Sequence, residues 1–271
     1  VYSGGSYAYV NKIKFINSQT GFAVGGNFNK LKRTTNCGIN WQAMSYNSNL
    51  DLNGVSFSPG QNGLIVGKSG MIIRSSNNGA NWTSKYKSVT SAHLKRIYHI
   101  NDSVIFAIGG GGTIIKTTDR GINWIPKYSG SLRDLYGIFF VNPNTGWIAG
   151  YTGGPSLHGE ILKTTNAGEN WVIQYSTTSY YLRDVAAINN DTVFSVGRYS
   201  ILKSTDGGIN WYLAFNTPNY EELYSICFVN SLTGFACGSG DLIAKTTNGG
   251  VNWSYQIASN YNGTLTRLFF I

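Results

Sequence analysis

Three features of the 271-residue sequence predict an all-β fold, a β-propeller of four-stranded antiparallel blades. A nine-residue turn motif ending in tryptophan occurs six times, and Trp41, Trp82, Trp124, Trp171, Trp211 and Trp253 are separated by 41, 42, 47, 40 and 42 residues. Each repeat carries four short apolar segments divided by Gly, Asn, Ser and Thr clusters, and four strands in about 41 residues is the length of a propeller blade. The composition agrees: 34 glycines and 14% aromatics, with charged residues at 12% against roughly a quarter in ordinary globular chains.

The first strand of each repeat, A, reads KIKF (12–15), GVSF (54–57), RIYH (96–99), GIFF (137–140), DVAA (184–187) and SICF (225–228). Strand B follows in runs such as TGFAVG (20–25), NGLIVG (62–67), TGWIAG (145–150) and TGFACG (233–238). Strand C runs into the repeated motif, and strand D leaves from its tryptophan. Runs of four to eight residues rich in Ile, Val and Phe, recurring about every ten residues between turn signals, are strands, and no stretch sustains a 3.6-residue period.

The motif itself reads RTTNCGINW (33–41), RSSNNGANW (74–82), KTTDRGINW (116–124), KTTNAGENW (163–171), KSTDGGINW (203–211) and KTTNGGVNW (245–253). Its Asn or Asp folds back onto nearby backbone N–H groups, a Ser or Thr hydroxyl assists, the glycine permits positive φ, and the tryptophan covers the turn. Each copy is therefore expected to be a self-satisfied hairpin cap between strands C and D. The basic residues that begin it, Arg33, Arg74, Lys116, Lys163, Lys203 and Lys245, recur with the blade and are expected to be structural or solvated.

The pattern Ser/Thr-x-Asp/Asn-x-Gly-x-x-Trp resembles the Asp-box. With the flanking TGFAVG-type strands, nearly the whole chain is similar to the Ycf48/Hcf136 family of Asp-box propellers, known for photosystem II assembly and found also as domains of secreted bacterial proteins. Four boxes depart from the family pattern by carrying Asn (Asn36, Asn77, Asn166, Asn248), with Asp only at Asp119 and Asp206. The resemblance implies a non-catalytic module that binds a protein or peptide. Sialidases, sorting receptors and xyloglucan hydrolases share the box, so the box alone assigns no activity.

Residues 1–271 are read as one propeller domain, a slice of a longer chain. The terminal TLTRLFFI (264–271) is a seventh strand A, and VYSGGS at the start matches the end of a strand D. Seven blades are expected, with about 26 residues of the seventh absent, by the spacing between Ile100 and Lys127 in the third repeat. The rival is a six-bladed ring with a spare strand, which leaves a hydrophobic edge exposed.

In such blades the D-to-A links and B-to-C loops share one face, and the A-to-B turns and Asp-boxes the other. On the first face lie Tyr-rich links and the single insertion, the loop 151–160; charges gather where strand A begins. Variation and charge together mark loop-borne function. The binding candidates are Lys95, Arg96, Arg133, Asp134, Tyr180, Tyr181, Arg183, Asp184, Glu222 and Arg267. The plain alternative is that these charges pair with one another around a water-filled channel. A glycoside hydrolase or carbohydrate-binding propeller is the other function class, with Asp134, Asp184 and Glu222 as acid/base candidates.

The formal charge of +9 comes from scattered residues with no polybasic block, which argues against a nucleic-acid partner. No run of 18 apolar residues spans a membrane. Cys37, Cys227 and Cys237 are expected as free thiols, and neither they nor the three histidines have metal-ligand spacing. No cofactor is expected. The Asn-, Ser- and Tyr-rich, charge-poor character suggests an extracellular or cell-surface protein, with the periplasm or thylakoid lumen as the alternative.

Overall fold

The computed structural model describes residues 9–27, 30–46, 48–83, 89–153, 158–258 and 263–268. These form two compact units that divide between Pro126 and Lys127. The first unit holds three blades. Blade 1 is β1 (Tyr9–Phe15), β2 (Gly21–Gly26), β3 (Leu31–Thr34) and β4 (Gln42–Ala43). Blade 2 is β5 (Leu52–Phe57), β6 (Gly63–Gly67) and β7 (Ile72–Ser75), with an isolated bridge from Arg74 to Thr83 in place of a fourth strand among the described residues. Blade 3 is β8 (Leu94–His99), β9 (Ile105–Gly109), β10 (Ile114–Thr117) and β11 (Ile125–Lys127).

The second unit repeats the plan. Blade 4 is β12 (Asp134–Phe140), β13 (Gly146–Thr152), β14 (His158–Thr164) and β15 (Val172–Thr177); blade 5 is β16 (Leu182–Ala187), β17 (Val193–Gly197), β18 (Ser200–Ser204) and β19 (Tyr212–Asn216). Blade 6 is β20 (Leu223–Phe228), β21 (Gly234–Gly238), β22 (Leu242–Thr246) and β23 (Ser254–Ile257). Sheet order follows chain order in every blade, and neighbouring strands are antiparallel.

Strand B is buried from end to end in blades 1, 2, 3 and 5. Strand A of one blade packs on strands A and B of the blade before it: β5 on β1 and β2, β8 on β5 and β6, β16 on β12 and β13, and β20 on β16 and β17. Phe194 of blade 5, fully buried, lies 4.7 Å from Phe228 and 6.2 Å from Trp253 of blade 6. Phe22 meets Phe57 and Trp82 across blades 1 and 2 in the same way. Burial of such a side chain contributes about 1.5–3 kcal/mol, so these interfaces carry much of each unit's stability.

The Asp-box is the hairpin cap expected of it. In the last copy Thr246 Oγ1 donates to Asn248 Oδ1 (3.0 Å) and accepts from Gly250 N (2.9 Å), while Asn248 Oδ1 accepts from Asn252 N (2.9 Å). Gly250 sits at φ 70 and the residue before it at 66, the left-handed region that glycine occupies without a Cβ penalty. Trp211 closes its own turn by donating to Gly208 O at 2.8 Å. Five of the boxes also meet the A-to-B turn of their own blade, as where Gly249 N donates to Leu232 O (2.8 Å) and Ala167 N to Asn144 O (2.9 Å).

The basic residue that opens the box is structural in three blades. Arg74 Nε donates to Arg120 O (3.0 Å), Lys163 Nζ to Gly207 O (2.9 Å) and Lys203 Nζ to Gly249 O (3.0 Å). Each acceptor is the residue that follows the Asn or Asp of the next blade's box. The two lysines also lie over their own blade's strand B aromatic, Lys163 at 5.3 Å from Trp147 and Lys203 at 5.4 Å from Phe194. A charged donor on a backbone carbonyl, backed by an aromatic face, clasps one blade to the next.

The chain end departs from expectation. Residues 263–268 make one isolated bridge, Ser239 with Thr264, and no strand; 269–271 lie outside the described residues. The three cysteines are free, as expected. In register Cys237 faces Ser225 and Cys227 faces Phe235, so the two thiols stand diagonally rather than opposite.

Candidate binding site

The two-face arrangement holds within each unit. B-to-C loops bond the D-to-A links: Lys68 N donates to Asp51 O (3.0 Å), Gly110 N to His93 O (2.9 Å), Arg198 N to Tyr181 O (3.1 Å) and Ser239 N to Glu222 O (2.9 Å). On this face every strand A carries a β-bulge one or two residues after its start, between Val10 and Lys12, Leu52 and Gly54, Leu94 and Arg96, Leu135 and Gly137, Leu182 and Asp184, and Leu223 and Ser225. A bulge leaves one residue unpaired in the ladder and re-aims its side chain. The six residues so placed are Asn11, Asn53 and Lys95 in the first unit, and Tyr136, Arg183 and Tyr224 in the second.

In the first unit this column is mostly amide. Asn11 Nδ2 donates to Leu52 O (2.8 Å) and Asn53 Oδ1 (3.2 Å), and Asn53 Nδ2 donates to Leu94 O (2.8 Å). Lys95 and Arg96 are half-buried on β8. Nearby, Asp51 receives Lys68 Nζ (2.6 Å), Lys30 Nζ (3.0 Å) and Tyr9 OH (3.0 Å). The Lys68 ammonium foremost, with Lys30 and Tyr9, holds its carboxyl well below the usual carboxylate range.

The second unit concentrates aromatic and charged groups. The Arg183 guanidinium lies 4.7 Å from the Tyr224 ring centre, 5.0 Å from Tyr151 and 5.3 Å from Tyr181. Its Nη2 donates to Glu222 Oε2 at 3.1 Å, and that oxygen also accepts from Tyr224 OH at 3.1 Å. Tyr151 stacks on Tyr136 (4.6 Å, 17° between planes) and tilts against Tyr181 (4.9 Å). Burial, with the carboxylates of Asp134 and Glu222 beside them, pushes the Tyr136 and Tyr224 phenols up from their usual value, so both stay protonated donors at neutral pH. Arg183 is thus pre-oriented by three ring faces and one carboxylate, with its side chain 23% exposed.

Arg133 stands at the start of the same face on a separate bracket. Its Nε donates to Glu160 Oε1 (3.2 Å) and its Nη1 to Thr152 Oγ1 (3.2 Å), while Ser131 Oγ donates to Glu160 Oε2 (2.6 Å). Asp134 opens β12 opposite Tyr151, and its Oδ2 accepts from Tyr136 OH at 3.5 Å. Tyr180 is half-buried against the cluster of Trp147, Leu182 and Val185. Arg267 is half-buried, close enough for its charge to temper the rise that burial imposes on Cys227, to about 11, and Cys237, to about 12. Both thiols are protonated and unreactive at neutral pH.

Asp184 differs from its neighbours. It is 0% exposed, and it accepts from Val185 N (3.0 Å), Ser225 Oγ (3.2 Å) and Ile226 N (3.3 Å). These bonds tie β16 to β20 from inside the sheet stack, so the side chain serves as an inter-blade tie and is turned away from any ligand. The insertion 151–160 is likewise more than a loop: β13 and β14 each extend to seven residues, pairing Tyr151 with Gly159 and Thr152 with His158, while 154–157 lie outside the described residues. The added ladder raises Tyr151 to the level of Arg183. Sequence reading therefore missed Tyr136, Tyr151 and Tyr224. The available signal was the residue after the buried leucine of strand A, Asn53, Lys95, Tyr136, Arg183 and Tyr224 in turn, which changes from polar to aromatic between repeats.

Among the described residues no group of three or more His, Cys, Asp and Glu side chains is placed to hold a metal ion, and no helix is long and apolar enough to cross a membrane. Comparison with known proteins bears out the resemblance read from the motifs. Residues 6–90 match the family model described as photosynthesis system II assembly factor YCF48. Among solved structures, YCF48 bound to D1 peptide aligns with a TM-score of 0.78 at 18% identity, over 97% of this chain and 86% of that one. YCF48 from Cyanidioschyzon merolae aligns at 0.69 and 15%, over 92% and 85%. The GH74 enzyme of Niastella koreensis aligns at 0.69 and 17% over 92% of this chain but 45% of its own. No curated protein matches the chain. Residues 6–90 are thus similar to that family, and the chain as a whole shares the β-propeller fold of these structures.

Proposed function

We propose that this propeller is a non-catalytic binding module that takes a protein or peptide segment on the face where D-to-A links meet B-to-C loops, in the second unit around Arg183. The observation that carries the reading is the Arg183 guanidinium, seated over Tyr151, Tyr181 and Tyr224 and bonded to Glu222. Rigid tyrosines beside a pre-oriented arginine are the residues that dominate protein interfaces, because they bury large area with little rotamer entropy to lose. Arg133, Asp134, Tyr180 and Tyr181 border the same face, with Arg267 as a further candidate. Lys95 and Arg96 would serve the corresponding face of the first unit, and Asp184 supports the site from within. That the similar YCF48 structure holds a D1 peptide supports a peptide-sized partner for this fold.

The hydrolase reading draws on the likeness to GH74 enzymes. It needs two carboxyls facing a sugar, one of them with a raised pKa. Against it, the Asp184 carboxylate is enclosed by Ser225 and two backbone N–H groups, and Glu222 is held by Arg183 and Tyr224. An extracellular or cell-surface setting is the location we favour on composition, with the periplasm or thylakoid lumen as alternative.

The test is a pair of measurements on the same preparation. Arg183→Ala and Tyr151→Ala are expected to weaken capture of the protein partner at least tenfold, about 1.4 kcal/mol, with the fold intact by circular dichroism. A chromogenic glycoside panel is expected to show no turnover. Turnover that disappears in Glu222→Gln would replace the binding reading with the hydrolase one.

A further inference from the structure

Two tyrosines on the face where B-to-C loops meet D-to-A links hold a backbone conformation that bulky side chains avoid. Tyr199, in the B-to-C loop of blade 5, sits at φ 59, and Tyr220, in the link from blade 5 to blade 6, at φ 58 behind Asn219 at φ 52. This is the left-handed region, uncommon for any residue with a Cβ and rarer still for a large one. The B-to-C loops of blades 2, 3 and 6 fill it instead with Ser69, Gly70, Gly111, Gly112, Gly240 and Asp241. Strain of this kind persists where the surroundings over-determine it, and it gathers at sites that grip a ligand.

Here the surroundings do over-determine it. Thr217 N donates to Tyr199 O (2.9 Å), Glu221 N to Pro218 O (3.2 Å) and Thr217 Oγ1 to Glu221 O (2.6 Å), which clips 217–221 into a turn around the rigid Pro218. The Tyr199 and Tyr220 rings meet edge to face at 5.5 Å, yet Tyr220 remains 80% exposed. A large ring held outward on a strained, clipped backbone does not serve the core. Beside it the Arg198 guanidinium lies 5.0 Å from the Tyr199 ring centre. Arg133 and Arg183 are paired with Glu160 and Glu222, whereas the Arg198 guanidinium has no ion pair or hydrogen bond among the described residues. The carboxylate of Glu221, next to Tyr220, is taken by Ser239 Oγ. Arg198 N donates to Tyr181 O (3.1 Å), which joins this group to the Arg183 cluster.

We propose that Arg198, Tyr199 and Tyr220 form a second subsite, for a partner segment that carries a carboxylate side chain beside an apolar one. The inference rests on the binding reading above and adds the chemistry of the partner. An unpaired guanidinium backed by a ring makes a directional, charge-assisted bond to a carboxylate. The exposed Tyr220 ring offers the adjoining side chain a large contact area with little rotamer entropy to lose. The net charge of +9 steers an acidic segment towards the chain.

Panning a random heptapeptide phage library on the 271-residue chain tests this. Selected peptides are expected to carry Asp or Glu beside an apolar residue about tenfold more often than the unselected library, and Arg198→Gln is expected to remove the acidic preference. Tyr220→Asn is expected to weaken a selected peptide about tenfold with Tm held or raised, because asparagine adopts this φ more readily than tyrosine. Acidic peptides selected equally by Arg198→Gln, or undiminished affinity in Tyr220→Asn, would overturn the subsite. A fall in Tm together with lost binding in Tyr220→Asn would overturn it too, since the ring would then be structural. Selection lost in Arg183→Ala but unchanged in Arg198→Gln and Tyr220→Asn overturns the subsite and leaves the binding reading standing; no enrichment on the unaltered chain would overturn both.

Discussion

The six Asp-boxes form an internal mutation series, since four carry Asn and two carry Asp. In the Asp copies the second carboxylate oxygen takes an extra bond from the amide four residues on, Asn123 Nδ2 to Asp119 Oδ2 (2.8 Å) and Asn210 Nδ2 to Asp206 Oδ2 (2.7 Å). An Asn box has an amide nitrogen there, and two NH₂ groups cannot bond each other. Asn36→Asp is therefore expected to stabilise the protein by on the order of 0.5–1 kcal/mol at neutral pH, read from urea unfolding. The gain should be pH-dependent. Bonds from the Asn210 backbone and side chain lower the Asp206 pKa to about 2, below its unfolded value of about 4. A carboxylate in that position contributes stability present above pH 4 and lost as pH falls towards 2. Turn chemistry of this kind was legible in the residue types, because it is local and repeats. The Tyr136–Tyr151–Arg183 cluster was not, because a bulge and a lengthened hairpin set side-chain height, and the sequence showed the insertion and the changing column without showing which side chains they bring together.

At the scale of the element, Arg74, Lys163 and Lys203 on strand C are clasps between blades. Lys203→Met keeps the apolar stem over Phe194 but leaves the Gly249 and Gly250 carbonyls without their cation. It is expected to cost roughly 1–2 kcal/mol, while Lys245→Met in the same chain costs little, since Lys245 is exposed. His99 on β8 gives the element a second signature. Its Nδ1 contacts Ser56 Oγ at 2.9 Å, its Nε2 is buried with no hydrogen-bond partner among the described residues, and burial lowers its pKa to about 4. The folded state then binds fewer protons than the unfolded one, whose histidine titrates near 6.5. Stability from this group is full above pH 6.5 and falls by on the order of 3 kcal/mol as pH drops to 4. His99→Phe should flatten the stability profile across that window, measured by thermal unfolding at half-unit pH steps. Strand identity, order and the two faces were readable from period and turn residues. That the recurring cations bond the next blade was not, because the sequence shows which residues repeat but not which neighbour they reach.

For the molecule as a whole, repetition made the fold readable and hid the function. Six near-identical blades need the same core, so Phe22, Phe106, Trp147 and Phe194 are fully buried in one column, and the likeness to YCF48 structures follows at 15–18% identity. A binding surface must break the repeat, and here the breaks are few: aromatic and arginine residues at the strand A bulge of the second unit, and the longer hairpin that brings up Tyr151. Charge alone pointed to the region but mixed ligand-facing candidates with the buried tie Asp184. The central claim is that a protein partner meets this face and not the Asp-box face. Site-specific photo-crosslinking tests it directly, with benzoylphenylalanine at Tyr181 and, as the opposite-face control, at Ile209, which is 62% exposed. A partner crosslinked from position 181 and none from 209 is the predicted result; crosslinking from 209 alone would contradict the account.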